Sequence, residues 1–132
     1  PFDDSLKRYT ITGKQLKGIF SHIMRPENRD GEGECYEVNA SVRAVYNDRE
    51  KVLESLAVNG EPVDDSRHYT LGLTGYHVDN CLKNLNLTPD ELAHLGGIKV
   101  LATSVTSVIE EYLRAHPNLN RCIEGRLVFR AA

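Results

Sequence analysis

The sequence predicts an α+β domain in which about three helices pack on a small sheet that is mostly antiparallel or mixed. Residues 42–46 are rich in β-branched side chains and alternate between apolar and polar, as a strand with one buried face does. Apolar residues recur at helical spacing in 16–23 and again in 105–113, which predicts two amphipathic helices. The 132 residues, 40% of them hydrophobic, suffice for one buried core, so we expect a single domain over 1–132.

The first predicted helix has a clear start and a clear stop. Thr10–Thr12 alternates like the end of a strand, and Thr12 with Gln15 forms a capping box, in which each side chain binds a free backbone amide of the other residue. The apolar stripe that follows ends before Pro26. Residues 26–34 are polar and contain glycine, so we expect a loop that leads the chain to Tyr36.

The middle of the chain predicts strands. Residues 36–58 carry the β-branched pattern, and Asn59-Gly60 is a strong hairpin signal because both residue types tolerate positive φ. We expect the partner strand of this hairpin to be His68–Leu73.

Two more helices and a strand complete the prediction. Thr88 precedes a proline and two acidic residues, which predicts a short helix over 89–95 that Gly96-Gly97 ends. Ser104 is expected to cap the last helix, whose apolar stripe faces away from Glu110, Glu111 and Arg114. That helix should end at His116-Pro117, before a final strand at 127–130.

Composition excludes several classes of function. The 16 basic and 19 acidic residues are mixed along the chain and give a net charge of -3, so no basic field is available to bind a nucleic acid. No apolar run is long enough for a membrane span, and no charged-then-apolar signal segment opens the chain. The abrupt start at Pro1 is typical of an excised domain, which leaves the compartment open. Cys35, Cys81 and Cys122 lack metal or redox spacing and are expected to be ordinary thiols.

A series of short segments in a fixed order carries a family resemblance. The chain contains Ile-Thr-Gly-Lys-Gln-Leu-Lys at 11–17, a turn at 33–36, a strand at 41–47, Val-Asn-Gly-Glu-Pro-Val at 58–63, His-Tyr-Thr-Leu at 68–71 and Glu-Gly-Arg-Leu at 124–127. Together these segments, over roughly residues 8–130, resemble the carboxy-terminal domain of the 5'-nucleotidase family. No single segment is specific, and the resemblance rests on their order.

The resemblance implies a base-binding site between two aromatic rings. In the family one ring lies in the turn before the strand that ends in Tyr-Asp, which corresponds to Tyr36 here. The other ring lies in the loop after the next hairpin, which corresponds to Tyr76. Polar contacts to the ligand would come from Asp79, Asn80 or Asn39. The alternative for each tyrosine is a buried ring with an exposed hydroxyl, which we expect for Tyr9, Tyr46, Tyr69 and Tyr112.

The second loop departs from the family pattern. The family sequence Asn-Phe-Leu-Ala-x-Gly-Gly-Asp-Gly is replaced by Gly-Tyr-His-Val-Asp-Asn-Cys-Leu at 75–82, so both glycines are absent. Leu82 stands where the family has its aspartate, and Asp79 is the available substitute. Glycine allows backbone conformations that other residues avoid, so the loop should follow another path, such as a helix over 77–84.

The chain offers no catalytic centre by its sequence. A two-metal phosphoesterase needs several His and Asp ligands around ions about 4 Å apart, whereas the five histidines here are scattered. The resemblance implies that catalysis and divalent metal ions belong to a separate upstream metallophosphoesterase domain. His77 and Cys81 lie four residues apart and could form a nucleophile pair, but a loop position and a helix start account for them better. We expect no catalytic residue and no metal ligand on this chain, and whether it belongs to an active enzyme stays open.

Two functions are therefore carried forward. The first is recognition of a nucleoside or nucleotide for a hydrolase of nucleotide catabolism, with the base between Tyr36 and Tyr76. The second is a non-catalytic structural or protein-interaction module that keeps the fold and has lost nucleotide binding. The partner expected for the first function is a metallophosphoesterase domain upstream in the same parent chain, and the resemblance favours an extracytoplasmic location.

Overall fold

A computed structural model describes residues 3–31, 36–120 and 122–131. Within these residues the α+β class is confirmed, with two small sheets and helices that follow the strands in the chain. The strands are β1 (Leu6–Thr12), β2 (Val42–Asn47), β3 (Val52–Val58), β4 (Glu61–Pro62), β5 (His68–Thr74), β6 (Lys99–Ala102) and β7 (Leu127–Arg130). The helices are α1 (Gly13–Ile23), α2 (Pro26–Asp30), α3 (Gly75–Asp79), α4 (Cys81–Leu85), α5 (Pro89–Ala93) and α6 (Val105–Ala115).

The first sheet has β1 at its centre, with β5 on one side and β6 on the other, both antiparallel to it. Leu6 pairs with Thr74 and Thr12 with His68, so β5 runs the full length of β1. Ile11 is 0% exposed because the central strand is covered on its core face. Among the described residues, no strand pairs with the other edge of β5, and residues 68–73 of this strand line a cleft.

The second sheet has the order β4-β3-β2-β7, with β7 parallel to β2. Asn59 and Gly60 form the turn between β3 and β4 with φ of 53° and 79°, so the predicted hairpin is confirmed. Its predicted partner is wrong, because β3 pairs with the two-residue strand β4 and residues 68–73 pair with β1. The turn is local, but the pairing of β5 is decided by packing across the domain.

Helix α1 begins and ends as predicted. Thr12 accepts a hydrogen bond from the Gln15 amide, and the Gln15 side chain accepts one from the Thr12 amide. The predicted apolar stripe is buried against the sheets. The loop predicted for 26–34 is wrong over its first part, since Pro26 opens the short helix α2. Proline fits the first helical position, where no backbone N–H is needed; residues 32–34 of the predicted loop lie outside the described residues.

Helices α5 and α6 also begin at their predicted caps. Thr88 and Glu91 form a second capping box, and the Ser104 hydroxyl accepts a hydrogen bond from the Ser107 amide. Helix α5 is two residues shorter than predicted. The apolar stripe of α6 is present, but none of the residues of this helix is buried. The prediction that α6 packs on a sheet through this stripe is therefore wrong for the described residues.

The core lies between α1 and the two sheets. Tyr9 and Tyr46 are buried there as expected, and Tyr69 is partly buried. Tyr112 departs from the prediction, because its ring is 52% exposed and stacks on His116 at 4.1 Å. Cys81 is buried and Cys122 exposed, both as free thiols, and Cys35 lies outside the described residues. In the part of the chain that the structure describes, no helix is long and apolar enough to cross a membrane.

Candidate functional site

A cleft of about 1050 Å³ lies between the two sheets. One wall is strand β5 from His68 to Leu73, and the opposite wall is formed by Val42 and Val58 of the second sheet. The apolar side of α1 closes the bottom. Clefts of this size, with apolar walls and a few polar groups, are the usual sites for small-molecule ligands.

Tyr36 lies at one end of this cleft and is partly buried against the core. Two hydrogen bonds hold the backbone that follows Tyr36. The Arg126 guanidinium donates a hydrogen bond to the Val38 carbonyl at 2.6 Å, and the Val42 amide donates one to the Asn39 carbonyl at 3.1 Å. Asn39 also lines the cleft, and its side-chain amide donates to the Ser41 hydroxyl at 2.7 Å. Tyr36 and Asn39 are thus both brought to the cleft.

Tyr76 is the second residue of helix α3 and does not line the cleft. The Asp4 carboxylate accepts a hydrogen bond from the Tyr76 amide at 2.8 Å, which fixes the first turn of the helix. The preceding residue, Gly75, lies so close to Asp4 that a Cβ added to it would be 2.3 Å from a carboxylate oxygen of Asp4. Tyr76 is 49% exposed, and its ring contacts that of His77, which lines the cleft.

The ring of His77 contacts the rings of both tyrosines. Its ring centroid is 5.3 Å from that of Tyr36, with the planes tilted by 46°. The distance to the Tyr76 ring is 5.4 Å in an edge-on arrangement of 71°. His77 also lines the cleft, and its Nδ1 lies 3.5 Å from the side-chain nitrogen of Asn84. No periodicity or spacing of residues identifies this contact in advance, because it depends on the path of the altered loop.

Asp79 and Asn80 lie at the end of α3, away from the lining of the cleft. The Asn80 side chain donates a hydrogen bond to the Tyr76 carbonyl at 2.9 Å, so it helps to end the helix. Asp79 is exposed. Burial, and after it the nearby Cys81 and Asp79, raise the pKa of the Tyr9 phenol. The single helix expected over 77–84 is instead two short helices that meet at Asn80.

The far end of the cleft carries a cation beside an aromatic ring. The Arg67 guanidinium lies over the Tyr69 ring, 5.6 Å from its centroid. Arg67 also makes an exposed ion pair with Glu61 at 3.4 Å. His68 begins β5 at the same end. The cleft therefore runs along β5 from the tilted ring pair of Tyr36 and His77 to a basic group.

The sequence offers Cys81 and His77 as possible catalytic groups, together with possible metal ligands. Cys81 begins α4 with its thiol buried, and His77 lies in the preceding helix. Among the described residues, no three His, Cys, Asp or Glu side chains form a group that could hold a metal ion. These residues do not fit the two-metal centre of a phosphoesterase, so no chemical step through a metal is derived for this chain.

The structure is thus that of an α+β domain with a cleft between its two sheets. The sequence model described as "5'-nucleotidase, C-terminal domain" matches residues 1–83. The chain therefore belongs to the family of 5'-nucleotidase carboxy-terminal domains, and the resemblance stated from its sequence is confirmed. No curated protein sequence matches the chain.

Solved structures are similar over nearly the whole chain. The NAD nucleotidase of Haemophilus influenzae matches with a TM-score of 0.74 and 20% identity, over 100% of this chain and 25% of that one. The sulfate thiohydrolase of Thermus thermophilus, in complex with glycerol, matches with a TM-score of 0.62 and 18% identity, over 95% of this chain and 22% of that one. A candidate 5'-nucleotidase of Staphylococcus aureus, in complex with alpha-ketoglutarate, matches with a TM-score of 0.59 and 12% identity, over 99% of this chain and 28% of that one. At these identities the similarity establishes the fold, and the chain spans about a quarter of each relative.

Proposed function

We propose that this domain recognises a nucleoside or nucleotide for a phosphoric-ester hydrolase of nucleotide catabolism, with the base held between Tyr36 and Tyr76. The observation that carries the proposal is that Tyr36 lines the cleft and that the His77 ring contacts both the Tyr36 ring and the Tyr76 ring. Both tyrosines fall within the residues that the family model matches. The NAD nucleotidase among the structural relatives is consistent with a ligand of this class.

The mechanism proposed is positioning. A metallophosphoesterase domain upstream in the same parent protein would supply the divalent metal ions and the chemistry. The present domain, a single folding unit over 1–132, would hold the base while the phosphate reaches that domain, which requires movement between the two. Stacking suits this role, because every base has an aromatic face and each stacked ring contributes about 1–3 kcal/mol. An extracytoplasmic location is part of the same proposal.

The polar contacts divide into two groups. Asn39 lies in the lining of the cleft, where its amide could turn from Ser41 to a base or ribose. Asp79 and Asn80 lie at the end of α3 and would contact only a ligand that extends past Tyr76. Among the predicted polar contacts, Asn39 is therefore the one that the geometry favours most.

The test is a titration of the chain with adenosine, uridine, their 5'-monophosphates, a nucleotide sugar and NAD. The chain has no tryptophan, so tyrosine fluorescence and chemical shifts report directly on the site. We expect saturable binding that Tyr36→Ala or Tyr76→Ala weakens about 5- to 150-fold, the loss of one stacked ring. Tyr112→Ala is the matched control, because Tyr112 is as exposed as Tyr76 but lies on α6, where its ring stacks on His116.

A non-catalytic interaction module is the second candidate function. The exposed apolar stripe of α6 favours it, since such a stripe more often lies against a neighbour. Failure of all six ligands to bind the folded wild-type chain, with the same chain binding another protein through α6, would support this function instead.

A further inference from the structure

The segment that carries Tyr36 depends on other parts of the chain for its position. Residues 36–41, which the structure describes in full, form neither a helix nor a strand, yet five of these six residues line the cleft. Tyr36 and Val38 are partly buried against the core, whereas Glu37 between them is exposed. Because the segment belongs to no helix and no sheet ladder, contacts from other elements determine where the Tyr36 ring stands.

Arg126, directly before β7, reaches this segment with its side chain. Its Nη1 donates a hydrogen bond to the Val38 carbonyl oxygen at 2.6 Å, and this bond joins residues that are 88 positions apart. The guanidinium is held in turn by the Glu124 carboxylate, which accepts a hydrogen bond from Nε at 2.7 Å and another from Nη2. Gly125 has a φ of 68°, so the backbone turns between Glu124 and Arg126. With both sides of the planar guanidinium occupied, its direction is fixed.

The backbone of Arg126 is anchored separately from its side chain. The Arg126 carbonyl accepts a hydrogen bond from the Ala44 amide at 2.8 Å, at the start of the pairing between β2 and β7. The second sheet therefore supports the guanidinium that holds Val38. A hydrogen bond from a charged group shifts a local equilibrium by about 10- to 100-fold.

We propose that Arg126 is a positioning residue of the base site, an inference that rests on the function proposed above. It holds the backbone two residues after Tyr36, so the Tyr36 ring is in place before a nucleoside arrives, and such preorganisation increases affinity. Asn39 is held separately through the Val42 amide, so the effect of Arg126 is directed to Tyr36. Arg126 lies outside residues 1–83, which the family model matches.

The experiment compares adenosine 5'-monophosphate binding by the wild-type chain, Arg126→Ala and Arg130→Ala. Arg130 is the matched control, because it lies four residues further along, at the end of β7, and binds the Glu54 carboxylate of β3 at 2.5 Å. We expect Arg126→Ala to bind about tenfold more weakly, because the released segment presents its ring for only part of the time. Arg130→Ala should bind as the wild type does. Urea denaturation establishes that each variant is folded under the binding conditions.

Two further variants separate positioning from a general structural role. When Arg126→Ala is added to Tyr36→Ala, the further loss should be about twofold or less, since the ring that Arg126 positions is already gone. Glu124→Ala leaves Arg126 without its carboxylate partner and should weaken binding about two- to fivefold. This variant carries the test if Arg126→Ala does not fold.

NMR spectra of the free domain give a direct readout that needs no ligand. The amide signals of Glu37 and Val38 and the ring signals of Tyr36 should shift in Arg126→Ala and stay in place in Arg130→Ala. Wild-type affinity in folded Arg126→Ala, or an undiminished effect of this substitution in Tyr36→Ala, would overturn the inference. The base site itself would still stand if Tyr36→Ala weakens binding. If the wild-type chain binds none of the six ligands, the proposed function is overturned and this inference with it.

Discussion

A single glycine decides how α1 meets the rest of the domain. Gly13 is the first residue of the helix, and its amide donates a hydrogen bond to the Arg67 carbonyl at 2.8 Å. A Cβ placed there would lie 1.8 Å from the Asp64 carbonyl oxygen, so the turn at 64–67 touches the helix start directly. This turn also delivers β5 to the cleft, which connects the glycine to the proposed site.

We predict that Gly13→Ala lowers the free energy of unfolding by about 1–3 kcal/mol, because the added methyl group must displace backbone. Gly18→Ala in the same helix is the matched control. Nothing lies within 4 Å of a Cβ at Gly18, and it sits in the helix interior, so this variant should gain about 0.5–1 kcal/mol. Urea denaturation of the two variants measures both effects. Equal changes of the same sign would contradict the close approach.

Residue-level signals were the most predictable part of this chain. The capping boxes at Thr12 and Thr88 and the positive-φ turn at Asn59 were all found from the sequence, because each is complete within four residues. The contact of His77 with Tyr36 was not found, because the two residues meet only through the path of two separate loops.

At the scale of elements, α6 is attached mainly at its start. Ser104 donates a hydrogen bond to the Asp3 carboxylate, and the Thr106 amide donates a second. The Val105 amide donates to the Asp4 carbonyl at 2.8 Å. Two residues ahead of β1 thus hold the first turn of a helix about a hundred positions later. The hydrogen bond from Ser104, and then that from Thr106, lower the pKa of Asp3 from 3.8 to about 2.

We predict that the attachment of α6 is lost in acid. Because the pKa of Asp3 is depressed in the folded chain, its contribution is fully present above pH 3.8 and is lost as the pH falls through about 2. The measurement is a titration of the Asp3 carboxyl carbon by NMR, together with the amide signals of residues 104–107. In Asp3→Asn the attachment should be weak at neutral pH and should not change further in this window. A midpoint near 3.8 in the wild-type chain would refute the prediction.

Element pairing was less predictable than element position. The bounds of α1, α6 and β7 agree with the sequence prediction to within one or two residues, but β5 was assigned to the wrong partner. A strand pattern specifies which face is buried and does not specify which strand lies beside it. The same limit applies to α6, whose stripe predicted burial that the described residues do not supply.

At the scale of the whole molecule, burial is uneven. The core gathers around α1, β1 and β2, whereas β6, α6 and β7 expose much of their apolar surface. The family model matches the same well-buried part of the chain, since it covers residues 1–83 and ends inside α4. Within the described residues, local stability should therefore fall from the first two thirds of the chain to the last third.

We predict that amide hydrogens of α6 exchange about 100-fold faster than those of α1, since α6 opens without exposing a core. Native-state hydrogen exchange at neutral pH measures both helices in one sample. The helices have equal lengths of 11 residues, so helix length does not account for a difference. Equal protection would mean that α6 is buried in solution, against a second copy of the chain for example, and a concentration series would then detect the association.

The parallel pairing of β2 with β7 has a consequence for synthesis of the protein. Residues 48–126 separate the two strands in the chain, so at 5–20 residues per second β7 leaves the ribosome roughly 4–16 s after β2. During that interval β2 has one unpaired edge. The edges of β1 are likewise unpaired until β5 and β6 have been synthesised. Open edges of this kind pair readily with other chains. Incomplete synthesis would therefore leave two sheets prone to aggregation, and the last few residues of the chain matter more for solubility than their exposure suggests.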